Sequence, residues 1–309
     1  MTAATTARLR RVAQCVGALA AITITAGCGA SGGAGVASST ATESIAASEL
    51  TSAETSTPGA PVTADYLPGL AATVRAPDSP GPAPLVVLVP GGGWSSADPN
   101  GLVPLAELLT ASGATTSLIT YSTTTMGAVF PQPVDDVACA VRWSAEQATA
   151  MGHPPSRVVL VGHSAGGHLA TLVALSGDKF GGDCAPPVVA VDGVAGLAGV
   201  YDTTWPVGAL NAFFGGVYSV DGRAKGSPLE WAKTGAAPAG LRVLLVHGDE
   251  DYQVPLEQTA LLAEALEAAE VDLTLEVLAG EDHMTVFDAA VAGPIITRWL
   301  AAFPSAPEE

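Results

Sequence analysis

The sequence predicts an α/β protein in which helices cover both faces of a mainly parallel central sheet. Short, almost continuous apolar runs such as LVVLV (85–89) and VVLV (158–161) are typical of strands buried on both faces. These runs alternate with amphipathic stretches of about 10 to 20 residues, which is the pattern of helical connections between parallel strands. A chain of 309 residues is long enough for one large domain of this class.

The predicted elements follow one another from about residue 64. Strands are predicted at 70–75, 85–89, 115–121, 157–161, 188–200, 241–246 and 271–278. Helices are predicted at 99–112, 133–151, 165–174, 255–270 and 286–303. The domain is therefore expected to occupy residues 64–309.

One segment, at about 201–238, breaks the alternation of strands and helices. It is rich in glycine, and its part from 201 to 231 holds six of the 16 aromatic residues (5 Trp, 5 Tyr and 6 Phe) of the chain. We interpret it as an insertion that walls an apolar pocket. A loop anchored by a few rings is the alternative.

The N-terminus has the features of an export signal. Three arginines within residues 8–11 precede an apolar or small run of about 15 residues, 12–26, which is too short to span a membrane. We predict a signal peptide over 1–27 and an exported protein. The sequence TAGC (25–28) resembles the lipobox of bacterial lipoproteins, although Thr25 replaces the usual leucine, and the resemblance implies lipidation and membrane attachment at Cys28. Plain secretion is the alternative.

The next segment, 28–63, is rich in Gly, Ala, Ser and Thr and lacks an apolar period, so we predict a flexible linker. Apart from Cys15 in the signal and Cys28 at its end, the chain holds two cysteines, Cys139 and Cys184. In an exported protein such a pair predicts a disulfide, and two buried thiols are the alternative.

The charge balance argues against nucleic-acid partners. The chain has 12 basic and 30 acidic residues, a formal charge of −18, and loss of the three N-terminal arginines would leave 9 against 30, or −21. Such a surface repels phosphate backbones, so a small-molecule substrate is the expected partner.

A nucleophilic serine is predicted at position 164. The sequence GHSAG (162–166) has the spacing G-x-S-x-G, follows the apolar strand and precedes the helical pattern of 165–174. This strand, turn and helix are the context in which the motif holds a serine hydroxyl above a sheet. Glycine flanks the serine because a Cβ there would collide with neighbouring backbone.

A serine nucleophile needs a base, and the base needs an acid that fixes its tautomer. The sequence offers both after later strands, in the order serine, acid, histidine. HGDEDYQVP (247–255) contains the candidate acid Asp251, with Asp249 and Asp202 as rivals, and AGEDH (279–283) ends on His283.

These motifs together resemble the α/β-hydrolases, specifically the esterase and lipase group with an H-G-G-G-W-like loop and a G-H-S-A-G-G elbow. The likeness covers about residues 65–303 and includes PGGGW (90–94) and GHSAGGHLA (162–170). It implies that Ser164, Asp251 and His283 form a catalytic triad. In the strand numbering of that family, the aromatic segment follows the sixth strand.

The same resemblance implies an oxyanion hole made of backbone N–H groups from Gly92, Gly93 and Ala165. Pro90 departs from the histidine that the family commonly has, which leaves the bracing of the loop open. We expect a substrate pocket bordered by aromatic side chains, with plain packing as the alternative; the candidates are Trp94, Trp205, Phe213 and Phe214.

The resulting hypothesis is an exported serine hydrolase that cleaves carboxylic esters with short to medium acyl groups. An arylformamidase-like amidase and a polysaccharide acyl esterase are alternatives, and a surface lipoprotein that only binds a ligand is the alternative outside enzymes. No cofactor is expected. No metal site is expected either, because the remaining histidines lack a ligand spacing.

Overall fold

A computed structural model describes residues 60–182, 184–205, 208–216 and 219–304. Its centre is an eight-stranded sheet in the order β1-β2-β4-β3-β5-β6-β7-β8. The strands are β1 Val62–Leu67, β2 Leu70–Arg75, β3 Ala83–Val89, β4 Thr115–Ile119, β5 Pro155–His163, β6 Gly193–Leu197, β7 Arg242–Gly248 and β8 Asp272–Leu278. β2 is antiparallel to β1 and β4, and the other neighbours are parallel.

Eight α-helices connect or follow these strands within the described residues. They are α1 Val103–Ala111, α2 Gln132–Ala150, α3 Ala165–Ser176, α4 Gly208–Phe213, α5 Val220–Lys225, α6 Pro228–Lys233, α7 Leu256–Ala268 and α8 Ala289–Ala301. No helix of this part of the chain is long and apolar enough to cross a membrane.

The core consists of two layers, one on each face of the sheet. Along β3, Leu85, Val87 and Val89 pack into a cluster with residues of α2, α3 and α7. The alternate residues Val86 and Leu88 pack into the other cluster, with residues of α1 and α8. Both sets are fully buried, as expected for a parallel strand covered on both faces. The predicted fold class is confirmed.

The structure corrects two boundaries. β1 begins at Val62 and pairs with β2, so the last two residues of the predicted linker belong to the sheet. The sequence VTADYL (62–67) was missed because none of its residues is buried and they form no apolar run. The strand predicted at 188–200 is limited to Gly193–Leu197, since Ala198 turns the backbone to a φ of 47°.

The insertion follows the sixth strand, as expected, and its described residues form α4, α5 and α6 before β7 begins. Cys139 of α2 and Cys184, which lies between α3 and β6, are joined in a disulfide with their Cα atoms 5.6 Å apart. The predicted signal peptide, Cys28 and the linker as far as residue 59 lie outside the described residues.

Candidate active site

Ser164 lies in the sharp turn between β5 and α3. Its φ of 54° and ψ of −120° are unusual for a residue with a side chain, and its N–H donates to Leu197 O at 2.9 Å. A Cβ on Gly162 would overlap the carbonyl of Gly166, and a Cβ on Gly166 would overlap the carbonyl of Val89. The backbone contacts of the turn therefore require glycine at both flanking positions.

The structure brings Ser164, His283 and Asp251 into one chain of hydrogen bonds. His283 Nε2 lies 2.9 Å from Ser164 Oγ, and His283 Nδ1 lies 2.7 Å from Asp251 Oδ2. An ionised carboxylate only accepts, so Nδ1 carries a proton and a neutral His283 leaves Nε2 free to accept from the serine hydroxyl. The three side chains come from the ends of β5, β7 and β8.

The Asp251 carboxylate is buried and held from several sides. Oδ1 accepts the N–H groups of Gln253 at 2.8 Å and Val254 at 2.9 Å, and Oδ2 lies 3.3 Å from His247 Nε2 in addition to its bond with His283. Burial opposes ionisation, but the hydrogen bonds from His247, His283 and Val254 outweigh it and hold the pKa of Asp251 far below its ordinary value. The carboxylate is thus ionised near neutral pH.

The two rival acids make hydrogen bonds elsewhere. Asp249 is exposed, and its Oδ1 accepts the N–H of Gly280 at 2.7 Å, which ties the acid loop to the histidine loop. Asp202 Oδ1 accepts from the N–H and the hydroxyl of Thr204 at 2.9 and 2.5 Å. Among the described residues, His283 Nδ1 bonds with Asp251 and with neither rival.

His283 is fixed through its backbone as well as its ring. His163 Nε2 lies 2.8 Å from His283 O and must donate, because a carbonyl only accepts. The preceding residue, Asp282, holds the turn after His283, because its Oδ1 accepts the N–H groups of Met284 and Thr285 at 2.8 and 2.9 Å. Burial lowers the pKa of His163 to about 4, so this ring is a neutral support near pH 7.

The glycine loop after β3 is braced without a histidine at position 90. The Tyr121 hydroxyl donates to Pro90 O at 3.0 Å, and the N–H groups of Ser95 and Ser96 donate to Gly92 O, each at 3.1 Å. Gly92 has a φ of 125°, where a Cβ would also press on the Ser96 carbonyl. Tyr121 thus takes the bracing role that the departure at Pro90 left open.

The predicted oxyanion donors lie beside the nucleophile. Gly92, Gly93 and Ala165 line the same cavity as Ser164. Within the described residues, no hydrogen bond uses the N–H of Gly92 or Gly93. Ala165 is the first residue of α3, whose N-terminal partial positive charge favours an anion at this place.

These residues open on a cavity of about 580 Å³ at the carboxyl edge of the sheet. Trp94 and Trp205 line it, as predicted from the sequence. Its other side-chain walls are largely apolar. Among the described residues, the ionisable groups that line it are Asp98, His163 and His283, with no Lys or Arg. The site thus suits an uncharged, mostly apolar group.

Phe213 and Phe214, the other two predicted pocket residues, do not line the cavity. Phe213 is fully buried behind Trp94, with ring centroids 5.4 Å apart, and also packs against Phe130. The ring of Phe214 packs against that of Phe130 at an angle of 45°, with centroids 5.3 Å apart. Both rings turn inward because they complete an aromatic cluster that supports the wall, and neither belongs to the cavity lining.

Sequence reasoning missed several lining residues. Met284 and Phe287 follow His283 closely, and Val200 and Gln258 flank the insertion and the acid loop. Met284 and Phe287 had a usable signal, since residues just after a catalytic histidine border the same cavity. Val200 and Gln258 belong to no motif.

Two more histidines are buried in hydrogen bonds. His168 Nδ1 accepts from Trp94 Nε1 at 3.0 Å, and its Nε2 donates to Gly226 O at 2.7 Å. His247 Nδ1 accepts from or donates to Thr259 Oγ1 at 2.7 Å, opposite the side that faces Asp251. In the part of the chain that the structure describes, no group of three or more His, Cys, Asp or Glu residues is arranged to hold a metal ion.

Comparison with curated proteins finds esterases. The chain is 28% identical over 250 residues to the esterase LipQ of Mycobacterium tuberculosis, which covers 74% of this chain and 57% of that protein. It is 25% identical over 228 residues to a probable isoprenylcysteine alpha-carbonyl methylesterase of Oryza sativa, covering 68% of this chain and 53% of that protein. The chain thus spans about half the length of the curated relatives it matches.

Solved structures share the architecture. A truncated carbohydrate esterase from gut microbiota superposes with a TM-score of 0.67 at 19% identity, covering 74% of this chain and 89% of that one. Esterase 2 of Thermogutta terrifontis gives 0.65 at 22% identity, covering 79% and 92%. These likenesses show the α/β-hydrolase fold. The BD-FAE family model matches residues 74–266, more than half of the chain, and the protein therefore belongs to the BD-FAE family.

Proposed function

We propose that this protein is a serine hydrolase that cleaves carboxylic esters with short to medium acyl groups. The observation that carries the proposal is the hydrogen-bonded chain from Ser164 through His283 to Asp251, open on a cavity of about 580 Å³. The names of the curated relatives, which are esterases, support the same reaction class.

In the proposed reaction, Ser164 Oγ attacks the ester carbonyl while His283 Nε2 takes its proton. The ionised Asp251 stabilises the imidazolium and does not itself take the proton. Backbone N–H groups of Gly92, Gly93 and Ala165 hold the negative oxygen of the tetrahedral intermediate. His283 then protonates the departing alcohol, which leaves an acyl group on Ser164, and water attacks that acyl-enzyme by the same proton path in reverse.

The cavity supports the proposed substrate class. Its size suits a small or medium ester, and its largely apolar wall favours hydrocarbon groups over charged ones. Thermogutta terrifontis esterase 2 has been solved with propionate bound and with butyrate bound, which supports a short acyl group by analogy. Formamides and acylated carbohydrates remain the alternative substrates to be compared.

The experiment that tests this function compares p-nitrophenyl esters of increasing chain length with N-formylkynurenine as the amide substrate. We expect turnover of short and medium esters, and loss of about a million-fold in kcat in Ser164→Ala, because the nucleophile is removed. Ser112→Ala, on the exposed end of α1, is the matched control. Preferential cleavage of N-formylkynurenine would favour the amidase, and equal ester turnover in Ser164→Ala would refute the proposal.

We also propose that the protein is exported and attached to a membrane through a lipid on Cys28. The support is the sequence of residues 1–28 and the disulfide between Cys139 and Cys184, a bond typical of oxidising compartments. Metabolic labelling with a palmitate analogue and cell fractionation test it: Cys28→Ser is expected to lose the label and leave the membrane fraction. A labelled or membrane-bound Cys28→Ser protein would contradict lipidation at this residue.

A further inference from the structure

We propose that Gln258 is a specificity-determining residue, whose amide N–H₂ binds a neutral oxygen in the substrate beyond the reacting ester group. The inference rests on the proposed ester hydrolysis and adds a chemical class to it: esters that carry an ether, hydroxyl or carbonyl oxygen in the acyl or alcohol part.

The orientation of the Gln258 amide is fixed by two backbone donors. Gln258 is the third residue of α7, follows the acid loop and is only 1% exposed. Its Oε1 accepts the N–H of Tyr201 at 2.8 Å and the N–H of Asp202 at 2.6 Å. An N–H₂ group at the Oε1 position would face two donors, so the amide has one satisfactory orientation.

The other end of this amide has no protein partner. Within the described residues no hydrogen bond uses Gln258 Nε2, although the side chain is almost completely buried. Gln258 is part of the lining of the cavity that contains Ser164, next to apolar residues such as Val200 and Val254. The two N–H bonds are therefore available to a molecule in the cavity. An apolar substrate that covered them would leave two buried donors unpaired, which is costly.

The chemistry of the cavity selects a neutral acceptor. The amide donates without carrying charge, and the described lining holds no Lys or Arg that could balance a carboxylate or phosphate. The protein as a whole carries a formal charge of −18, which further disfavours anions. An ether, hydroxyl or carbonyl oxygen meets both requirements. A site that hydrogen-bonds a substrate oxygen discriminates against the analogue that lacks it, because its own polar group is then left unpaired.

The decisive variant is Gln258→Glu, because it keeps the contact with the backbone of 201–202 and removes the group proposed to bind the substrate oxygen. Glutamate keeps an oxygen for the N–H groups of Tyr201 and Asp202 and replaces the N–H₂ group with a second oxygen. Gln147→Glu is the matched control, since Gln147 is a partly exposed residue of α2 that does not line the cavity. Gln258→Met, which removes both functions, is the second variant, and thermal unfolding reports whether each protein is folded.

The substrates are pairs of esters that differ by one oxygen in place of a methylene. We would use p-nitrophenyl methoxyacetate with butyrate, 3-methoxypropanoate with pentanoate, and 2-methoxyethyl butyrate with butyl butyrate, at pH 8. The measured quantity is the ratio of kcat/KM within each pair. The intrinsic reactivity of the esters cancels when the same ratio is compared between the wild type and a variant.

We expect the ratio to fall by about tenfold for at least one pair in both Gln258→Glu and Gln258→Met, and to change less than twofold in Gln147→Glu. Unchanged ratios in every pair, or an equal fall in the control, would overturn the inference while leaving ester hydrolysis standing. If the wild type hydrolyses none of the esters, the proposed function fails, and the inference fails with it.

Discussion

Two regions that meet at the cavity differ in how their parts are held together. The catalytic edge consists of the loops after β3, β5, β7 and β8, and its reactive side chains are fixed by short hydrogen bonds, such as the 2.7 Å contact between His283 and Asp251. The insertion, from the end of β6 to the start of β7, combines aromatic packing around Phe213 with a buried network in which the Arg223 guanidinium donates to the carbonyls of Thr203 and Trp205. Hydrogen bonds fix angles and distances narrowly, whereas packing tolerates substitutions of similar volume. We infer that the reaction depends on the first region, and that the insertion contributes to the substrate range through the part of the wall that it supplies, Trp205 and Ala209.

The two regions are joined at two places by buried polar side chains. His168 connects Trp94 of the glycine loop with Gly226 of the insertion, and Gln258 holds the backbone of 201–202 at the start of the insertion. These joints position the pocket wall relative to the nucleophile. Substitutions in each region test how far the two are independent.

The largest effect is expected in the catalytic edge, from Asp251→Asn. The amide has nearly the same shape but favours the wrong tautomer of His283 and cannot stabilise its charge, so kcat should fall about ten-thousand-fold. Ester turnover under saturating substrate measures it.

Asp249→Asn is the matched control for this prediction, because Asp249 precedes Asp251 by two residues but is exposed and bonded to Gly280. We expect its kcat to stay within about tenfold of the wild type. A larger loss in Asp249→Asn than in Asp251→Asn would reverse the assignment of the acid.

In the insertion, Phe213→Ala should reduce stability while sparing the reaction. The side chain is fully buried, so its removal is expected to lower the free energy of unfolding by about 3–5 kcal/mol. Urea unfolding measures this, and kcat for the smallest ester should stay within about tenfold because Phe213 does not line the cavity. Phe214→Ala should lower the free energy of unfolding by less, because this ring is only partly buried. A collapse of kcat in a folded Phe213→Ala protein would show that the two regions are not separable.

Acid should lower the free energy of unfolding, because the folded protein contains histidines that are buried and neutral. Burial lowers the pKa of both His163 and His168 to about 4, against 6.5 in an unfolded chain. Between these values the unfolded chain binds more protons, so stability is complete above about pH 6.5 and is lost as the pH falls towards 4. Two such groups give a slope of up to about 2.7 kcal/mol per pH unit. The pKa of Asp251 is also lowered, and the stability that its ionised form contributes is lost only below about pH 4.

His168→Gln sharpens this prediction, since glutamine can still accept from Trp94 and donate to Gly226. Urea unfolding at pH 7, 5.5 and 4.5 should give a slope smaller by about one proton than in the wild type. An unchanged slope would mean that His168 takes up no proton on unfolding.

The sequence was informative where sterics or bond geometry leave few choices. Gly162 and Gly166 identify the elbow because no larger residue fits, and the order of the motifs led to Asp251, which the structure places against His283. It was less informative where distant residues decide the outcome. Whether Phe213 faces the cavity depends on Phe130 and Trp94, which are far from it in the chain.

The edge of the sheet shows the same limit. The short, exposed β1 has no apolar pattern and exists through its pairing with β2, which only the folded chain reveals. Gln258 likewise sits in an ordinary first helical turn, and its importance comes from the backbone of 201–202 that folds against it.

The central claim, that Ser164 is an activated nucleophile, is tested most directly by labelling the folded protein with a fluorophosphonate probe and mapping the modified residue by mass spectrometry. We predict that the wild type is labelled on Ser164, that His283→Ala is labelled far more slowly, and that Ser164→Ala is not labelled. A folded wild-type protein that takes up no probe, or takes it up on another residue, would contradict the claim and favour a protein that only binds its ligand.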